Sequence, residues 1–342
     1  MAEYADVSRT EDGARLLRWF LRHYPGLTQG EFYKLCRGGQ IRVNSSRCRG
    51  NEILRAGDLV RVPPTFAEYH RDKVEKTESG DKFSLADLEK LRKCIIHNDS
   101  DIVIFNKPAG LAVQGGTGIK MAVDKMAAAL FPYDKISLVH RLDRETSGIL
   151  LVAKNQGAAQ ILAKEFQDKA VKKEYLALLC GDVSPNQGII DNFMAKGRIL
   201  ENNGAQADKD RPHRAITEYK VISKVPGVLS WVLFLPKTGR THQLRLHSAF
   251  SLGAPIVGDA LYREEKRRTR KMDDLLKSVL DTKNLFLFAY RLIFMHPRTG
   301  KIMVIMAELP DFMRPVVKFF ELEMPEEALK REKRGAFEEK TN

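Results

Sequence analysis

One aspartate, set in a run of basic and hydroxyl side chains, is the first residue in this chain that could do chemistry. Leu138-Val139-His140-Arg141-Leu142-Asp143 continues through Arg144-Glu145-Thr146-Ser147-Gly148 into the apolar stretch Ile149–Val152. A carboxylate there can act as a nucleophile or accept a proton. It can equally take the Thr146 or Ser147 amide in an Asx-turn and merely fix the loop. Thr146 and Ser147 read as turn builders, because a serine triad needs a base whose position is a tertiary matter. A second cluster, Pro236-Lys237-Thr238-Gly239-Arg240-Thr241-His242-Gln243-Leu244-Arg245-Leu246-His247, follows the apolar run Trp231–Leu235. Its histidines are five residues apart and do not share a helical face as paired metal ligands do, so no metal is expected. Lys237, Arg240 and Arg245 instead suit a phosphate or a carboxylate.

The elements that must position these groups lie between residues 93 and 325. Apolar runs predict strands at Asp101–Asn106, Gly148–Lys154, Glu174–Cys180, Thr217–Ser223, Ser230–Leu235, Leu285–Phe294 and Lys301–Met306. Helices are predicted at Met121–Leu130, Ala158–Asp168 and Thr241–Phe250, the last capped by Thr241. Many strands, few helices and no regular alternation predict an α+β domain on a mixed, mostly antiparallel sheet. No G-x-G-x-x-G or Walker A pattern occurs, and Gln114–Gly118 is merely glycine-rich, so no nucleotide cofactor is expected.

Residues 1–64 form a separate unit. Ala14–Tyr24 places Leu17, Phe20 and Leu21 on one helical face and Arg15, Arg18 and Arg22 on another. Thr28–Glu31 has a capping-box pattern that starts a second helix, and Gly38-Gly39 ends it. Short strands are expected at Gln40–Val43 and Asp58–Val62. Residues 65–92 read as a charged linker with a short helix begun by Ser84–Asp87, and residues 326–342 as a charged tail.

The 342 residues suit about two domains, and a net charge of +13 with a pI near 9.5 favours acidic partners, nucleic acid first. No apolar run reaches the ~18 residues of a membrane span, and Met1–Gly13 lacks the apolar core of a secretory signal. Cys36, Cys48, Cys94 and Cys180 stand far apart, which suggests buried, inert thiols in a reducing, cytoplasmic setting.

The order helix, helix, GGQIRVNSSR, AGDLVRV resembles the S4 RNA-binding domain. That resemblance implies that Arg15, Lys34, Arg37, Arg42 and Arg47 face RNA phosphates without reading sequence. In the larger domain four ordered motifs resemble the RluA-type pseudouridine synthases: FNKPAGLAVQGG, HRLDRETSGILLVAK, VKKEYLALLCG and KTGRTHQLRLH. Further similarity, in RVPP, VQGGTG and LFLFAYRLIFMHPRTG, is to the sub-type that modifies large-subunit ribosomal RNA. Members acting on other rRNA sites or on tRNA are the alternative.

The resemblance implies isomerisation of uridine to pseudouridine in RNA by a monomer without metal or cofactor. It makes Asp143 the essential residue, either attacking C1′ or removing a 2′-proton. Arg240 is then the ion-pair partner of Asp143, Tyr175 contacts the uracil or moves a proton, and Leu244 packs the pocket floor. Arg141 fills the space left by a flipped nucleotide. Lys107, Arg144 and Arg245 are candidates for phosphate contacts or for supporting the site, and His140 for fixing the loop. Arg263–Lys283, with eight bases against five acids, is a candidate extra RNA contact. Two other classes remain. A non-catalytic S4 assembly factor would not need Asp143, Tyr175 and Arg240 intact, and a sugar hydrolase would need a second carboxylate.

Overall fold

The computed structural model describes residues 3–8, 11–23, 29–63, 83–116, 118–119, 121–195, 198–200, 212–262 and 283–325. The linker at 65–82, the basic segment at 263–282, the tail and the Thr28 cap lie outside them. The chain divides into two compact units: Met1–Glu89 with Met126–Lys135, and Lys90–Lys125 with Ile136–Asn342.

In the first unit, strands β1 (Glu3–Asp6), β2 (Arg42–Val43), β3 (Ser46–Arg47) and β4 (Leu59–Val62) form a sheet in the order β1-β4-β2-β3. Helix α1 (Leu16–His23) buries Leu16, Trp19 and Phe20, while Leu17 and Leu21 are only half-buried. Helix α2 (Gln29–Arg37) buries Phe32 and Cys36, one turn apart on the same face. Asn44 and Ser45, both at positive φ, make the two-residue turn from β2 to β3. The Asn44 side chain then ties that turn to β4, accepting the Leu59 amide at 2.8 Å and donating to Asp58 at 2.8 Å. β1 and β3 were not foreseen, being short and nearly devoid of large apolar side chains.

Helix α3 (Leu85–Lys93), which belongs to the first unit through Glu89 and to the second from Lys90, begins at Ser84, whose hydroxyl accepts the Asp87 amide. In the second unit follow strands β5 (Ile95–Asn98) and β6 (Ile102–Lys107), the start of helix α4 (Val123–Leu130, which belongs to the first unit from Met126), and strands β7 (Ser137–Leu138) and β8 (Ser147–Ala153). Next come helix α5 (Gln156–Gln167) and strands β9 (Lys172–Cys180), β10 (Gln187–Ala195) and β11 (Arg198–Leu200). The series closes with β12 (His213–Val225), β13 (Leu229–Pro236), helix α6 (Gln243–Leu246), β14 (Leu287–Met295), β15 (Ile302–Met306) and helix α7 (Arg314–Phe319).

All eleven strands join one sheet, whose main path runs β11-β10-β12-β13-β9-β14-β8-β6-β5. Every pairing is antiparallel except β8 with β14. The result is a mixed α/β fold on a mostly antiparallel sheet. All seven residues of β8 are buried, which is why its sequence reads as one apolar run rather than an alternation. Gly148, at φ +108°, lies so close to β14 that a Cβ would sit 2.3 Å from the Ala289 carbonyl oxygen, so no larger residue fits.

Three points differ from the sequence reading. Strand β10 escaped notice because Asp191 and Asn192 break its apolar run and its outward face is exposed. The predicted helix Thr241–Phe250 is one turn of α-helix, capped at the left-handed His242 rather than Thr241, followed by a π-helical turn at His247–Ser251. Three of the cysteines are buried as expected, but Cys94 is only half-buried.

Candidate active site

Asp143 lies in the loop between β7 and β8, and local contacts hold the loop rather than its carboxylate. The His140 ring stacks on Phe166 at 4.7 Å, and its Nε2 accepts the Leu151 amide at 2.9 Å. Burial pushes its pKa down to about 3, so it stays a neutral acceptor that fixes the loop. The Thr146 amide donates to the backbone carbonyl of Asp143 at 3.1 Å, not to its side chain. The Asx-turn reading therefore does not describe this loop.

Lys107, at the end of β6, is completely buried. Its ammonium donates to the carbonyls of Pro108 (2.9 Å), Leu111 (2.9 Å) and Arg144 (3.0 Å). Burial lowers its pKa to about 7 against the opposing pull of the Glu145 and Asp143 charges. With its three protons committed to carbonyls, Lys107 has none for a phosphate; it pins the residue after Asp143 in place. The Gly110 amide meets the same Arg144 carbonyl at 2.9 Å, and Arg144 Nε returns a bond to the Gly110 carbonyl at 2.9 Å.

The segment after β13 closes the site. Gln243 holds it: its Oε1 accepts from Thr238 Oγ1 (2.8 Å) and the Arg240 amide (3.0 Å). Its Nε2 donates to the Ile216 carbonyl (3.1 Å) and Thr217 Oγ1 (2.9 Å) on β12. His247 is buried between Thr217 and Asn192, and burial lowers its pKa to about 4. Arg245 is also buried, in a two-bond pair with Asp259 at 2.7 Å each, so it too is unavailable to a phosphate.

These pieces enclose a cavity of about 580 Å³. Asp143, Tyr175, Arg240, Leu244 and Arg141 all line it. Asp143 is 31% exposed there, and no described donor lies within hydrogen-bonding distance of its carboxylate. Tyr175 projects from β9; burial and the Asp143 charge raise its pKa, so it remains a phenol. Leu244 is buried and packs against the core. Arg141 is exposed and reaches Gln114 Oε1 at 3.4 Å.

The expected ion pair between Arg240 and Asp143 is not formed. Arg240 Nε donates instead to the Arg214 carbonyl at 3.3 Å. The cation-capable group that faces Asp143 is His242, with Nε2 3.9 Å from Asp143 Oδ1. Three further lining residues were not singled out as site residues in the sequence reading. Lys173 stands two residues before Tyr175 on the same face of β9, Thr146 is buried with a hydroxyl that has no partner, and Gln243 ties the segment together. The two-residue spacing in KKEY could have found Lys173.

Comparison with known proteins identifies the family. The profile of the RNA pseudouridylate synthase family matches residues 101–250, a stretch that holds both polar clusters. The ribosomal large subunit pseudouridine synthase C of Vibrio vulnificus is 32% identical over 322 residues, covering 92% of this chain and 96% of that protein. The protein of the same name from Escherichia coli O157:H7 is 33% identical over 90% of this chain and 93% of its own length. Among solved structures, human RNA pseudouridylate synthase domain containing 4 superposes with a TM-score of 0.58 at 26% identity, covering 70% of this chain and 97% of that one. An identity above 30% along nearly the full length of both chains leaves one assignment: this protein belongs to the RNA pseudouridylate synthase family and is an RNA pseudouridine synthase.

Proposed function

We propose that the chain converts uridines of large-subunit ribosomal RNA to pseudouridine, with Asp143 as the reacting carboxylate. The observation that carries this reading is the Asp143 carboxylate itself. It is rigidly presented by its loop, faces a cavity large enough for a nucleobase, and accepts no hydrogen bond from the described protein. A carboxylate left without donors keeps its nucleophilicity and basicity for a substrate. Large-subunit RNA is favoured because it is named as the substrate's source in relatives that match this chain along almost its whole length.

The uridine must leave its stack to reach Asp143, at a cost of a few kcal/mol. Exposed Arg141 is placed to fill the gap, Tyr175 to contact the uracil ring, and Leu244 to form the apolar floor beneath it. The Arg240 guanidinium makes a single long bond, to the Arg214 carbonyl, and its release on RNA binding turns the guanidinium toward the substrate and Asp143. Arg144, exposed beside Asp143, contacts a phosphate.

Residues 1–64 act as an S4-like RNA-docking domain through Arg15, Lys34, Arg37, Arg42 and Arg47. Four of these are exposed; Arg42 is half-buried, with Nε on the Gly39 carbonyl at 3.0 Å. Residues 93–325 form the catalytic domain, and the enzyme works as a cytoplasmic monomer. No helix among the described residues is long and apolar enough to cross a membrane. The test is to map pseudouridines in ribosomal RNA from cells lacking the protein. Loss at large-subunit positions is expected, with rescue by the wild-type chain but not by Asp143→Asn; loss confined to tRNA would overturn the assignment.

A further inference from the structure

We propose that His242 is the base that removes the C5 proton of the rearranged uracil, resting on the reading of Asp143 as the reacting carboxylate. Moving C1′ from N1 to C5 leaves C5 bearing both the sugar and its original hydrogen. To finish, the C5–H bond must break, its electron pair restoring the C5=C6 double bond and its proton passing to a base. N1, which left C1′ with the bonding pair, takes a proton from water. The base returns its proton to water, so the isomerisation balances without another reactant.

That base must stand beside Asp143, because C5 becomes bonded to the carbon that Asp143 acts upon. Few of the groups around the carboxylate can accept a proton. Tyr175, from β9, is a phenol whose pKa burial and the Asp143 charge push up, so no phenolate is available at neutral pH. Arg240 and Arg245 are guanidinium ions that stay protonated. Lys107, whose pKa burial lowers to about 7, does not line the cavity: its Nζ is buried against three carbonyls. Lys173, two residues before Tyr175 on β9, lines the cavity but forms no ion pair with Asp143. Among the described residues only His242 brings a basic nitrogen within 4.0 Å of the carboxylate, its side chain 24% exposed and its Nε2 3.9 Å from Asp143 Oδ1.

The surroundings hold this imidazole ready. Its Nδ1 lies 2.8 Å from the Tyr262 hydroxyl oxygen. With Nδ1–H donating to that oxygen, the Nε2 lone pair faces the cavity. Tyr262 is fixed in turn: its amide donates to Asp259 Oδ1 at 3.1 Å, and the Arg245 guanidinium lies over its ring at 5.2 Å. Burial raises the Tyr262 pKa, so it stays a neutral partner. His242 itself adopts φ +54°, an uncommon conformation for a residue with a Cβ, of the kind that surrounding structure enforces at working sites.

The experiment compares single-turnover rates on ribosomal RNA transcripts carrying uridine with hydrogen or deuterium at C5. In the wild-type protein with its base in place, the isotope is expected to have little effect. His242→Gln should slow turnover about 100-fold, as for loss of a positioned base, and should show a primary deuterium effect because proton removal now limits the rate. Tyr262→Phe should do the same to a smaller degree, and serves as the test if His242→Gln does not fold. Slowing without an isotope effect in the variant that folds, or no slowing, would overturn the proposal. Asp143→Asn, run in parallel, separates the two readings: full activity there would sink the assignment of Asp143, whatever His242 does.

Discussion

Two carboxylate sites in the larger unit look alike in sequence and opposite in structure. At the turn between β5 and β6, Asp99 accepts from His97 Nε2 (2.7 Å), His296 Nε2 (2.9 Å) and the amides of Asp101 (2.7 Å) and Ile102 (2.9 Å). Its neighbour Asp101 accepts from Arg298 at 2.6 Å, Asn155 Nδ2 at 2.9 Å and Ser100 at 2.9 Å. These donors outweigh desolvation and hold Asp99 at a pKa of about 2. Oxygens of Asp99 and Asp101 and a ring nitrogen of His296 come within 4.8 Å of one another, a spacing a metal could use. The bonds to Arg298, His97 and the backbone already account for them. Asp143 has no such donor set. A carboxylate wrapped in donors fastens a turn; one held by its backbone alone is available for reaction.

Substitutions can break this comparison. The largest effect is expected at Asp143: Asn should lower pseudouridine formation by at least about 1,000-fold with RNA binding and thermal stability near wild type. A large drop in melting temperature would instead put Asp143 in the same class as Asp99. Next is Lys107→Met, which leaves three buried carbonyls without their donor. At 1–3 kcal/mol for each unsatisfied group, partly recovered by water, a loss of roughly 3 kcal/mol is expected in denaturant unfolding, with reduced turnover because the loop holding Asp143 loosens.

Asp99→Asn should invert the Asp143 result. A fall from the ordinary value near 3.8 to about 2 corresponds to about 2 kcal/mol of stability. Because the folded-state pKa is the lower one, that stability is present above pH 4 and lost as pH falls through about 2. Unfolding measured against pH should show the variant matching wild type only at the acid end, while activity per folded molecule stays unchanged. The smallest effect is expected from Lys34→Ala, which should reduce the salt dependence of RNA affinity by about one phosphate contact without altering turnover. An unchanged salt slope would remove Lys34 from the proposed docking face.

The central strands were legible because burial on both faces turns them into continuous apolar runs, as in β8 and β13. The strand β10 was not, because one exposed face and two polar residues erase that signal. Asp143, Tyr175, Arg240 and Leu244 were legible as motif residues, and all of them line the one cavity of about 580 Å³. For Lys107 and Arg245 the sequence left phosphate contact and support of the site both open, since a basic residue looks the same in sequence whether it faces solvent or buried partners. Burial, with three carbonyls for one and Asp259 for the other, decides the matter.

By itself the sequence determined which reactive groups exist, which family they belong to, and which strands must be buried, because motif order and hydrophobic runs are local properties of the chain. Tertiary structure decided which of those groups meet. Parallel pairing of β8 with β14 and antiparallel pairing of β9 with β13 bring residues 143, 175 and 240–245 around one cavity. There the left-handed backbone at His242 and a bond from Arg240 to the Arg214 carbonyl leave an imidazole, not a guanidinium, facing Asp143. That choice depends on distances between side chains far apart in the chain, which no spacing along a sequence encodes.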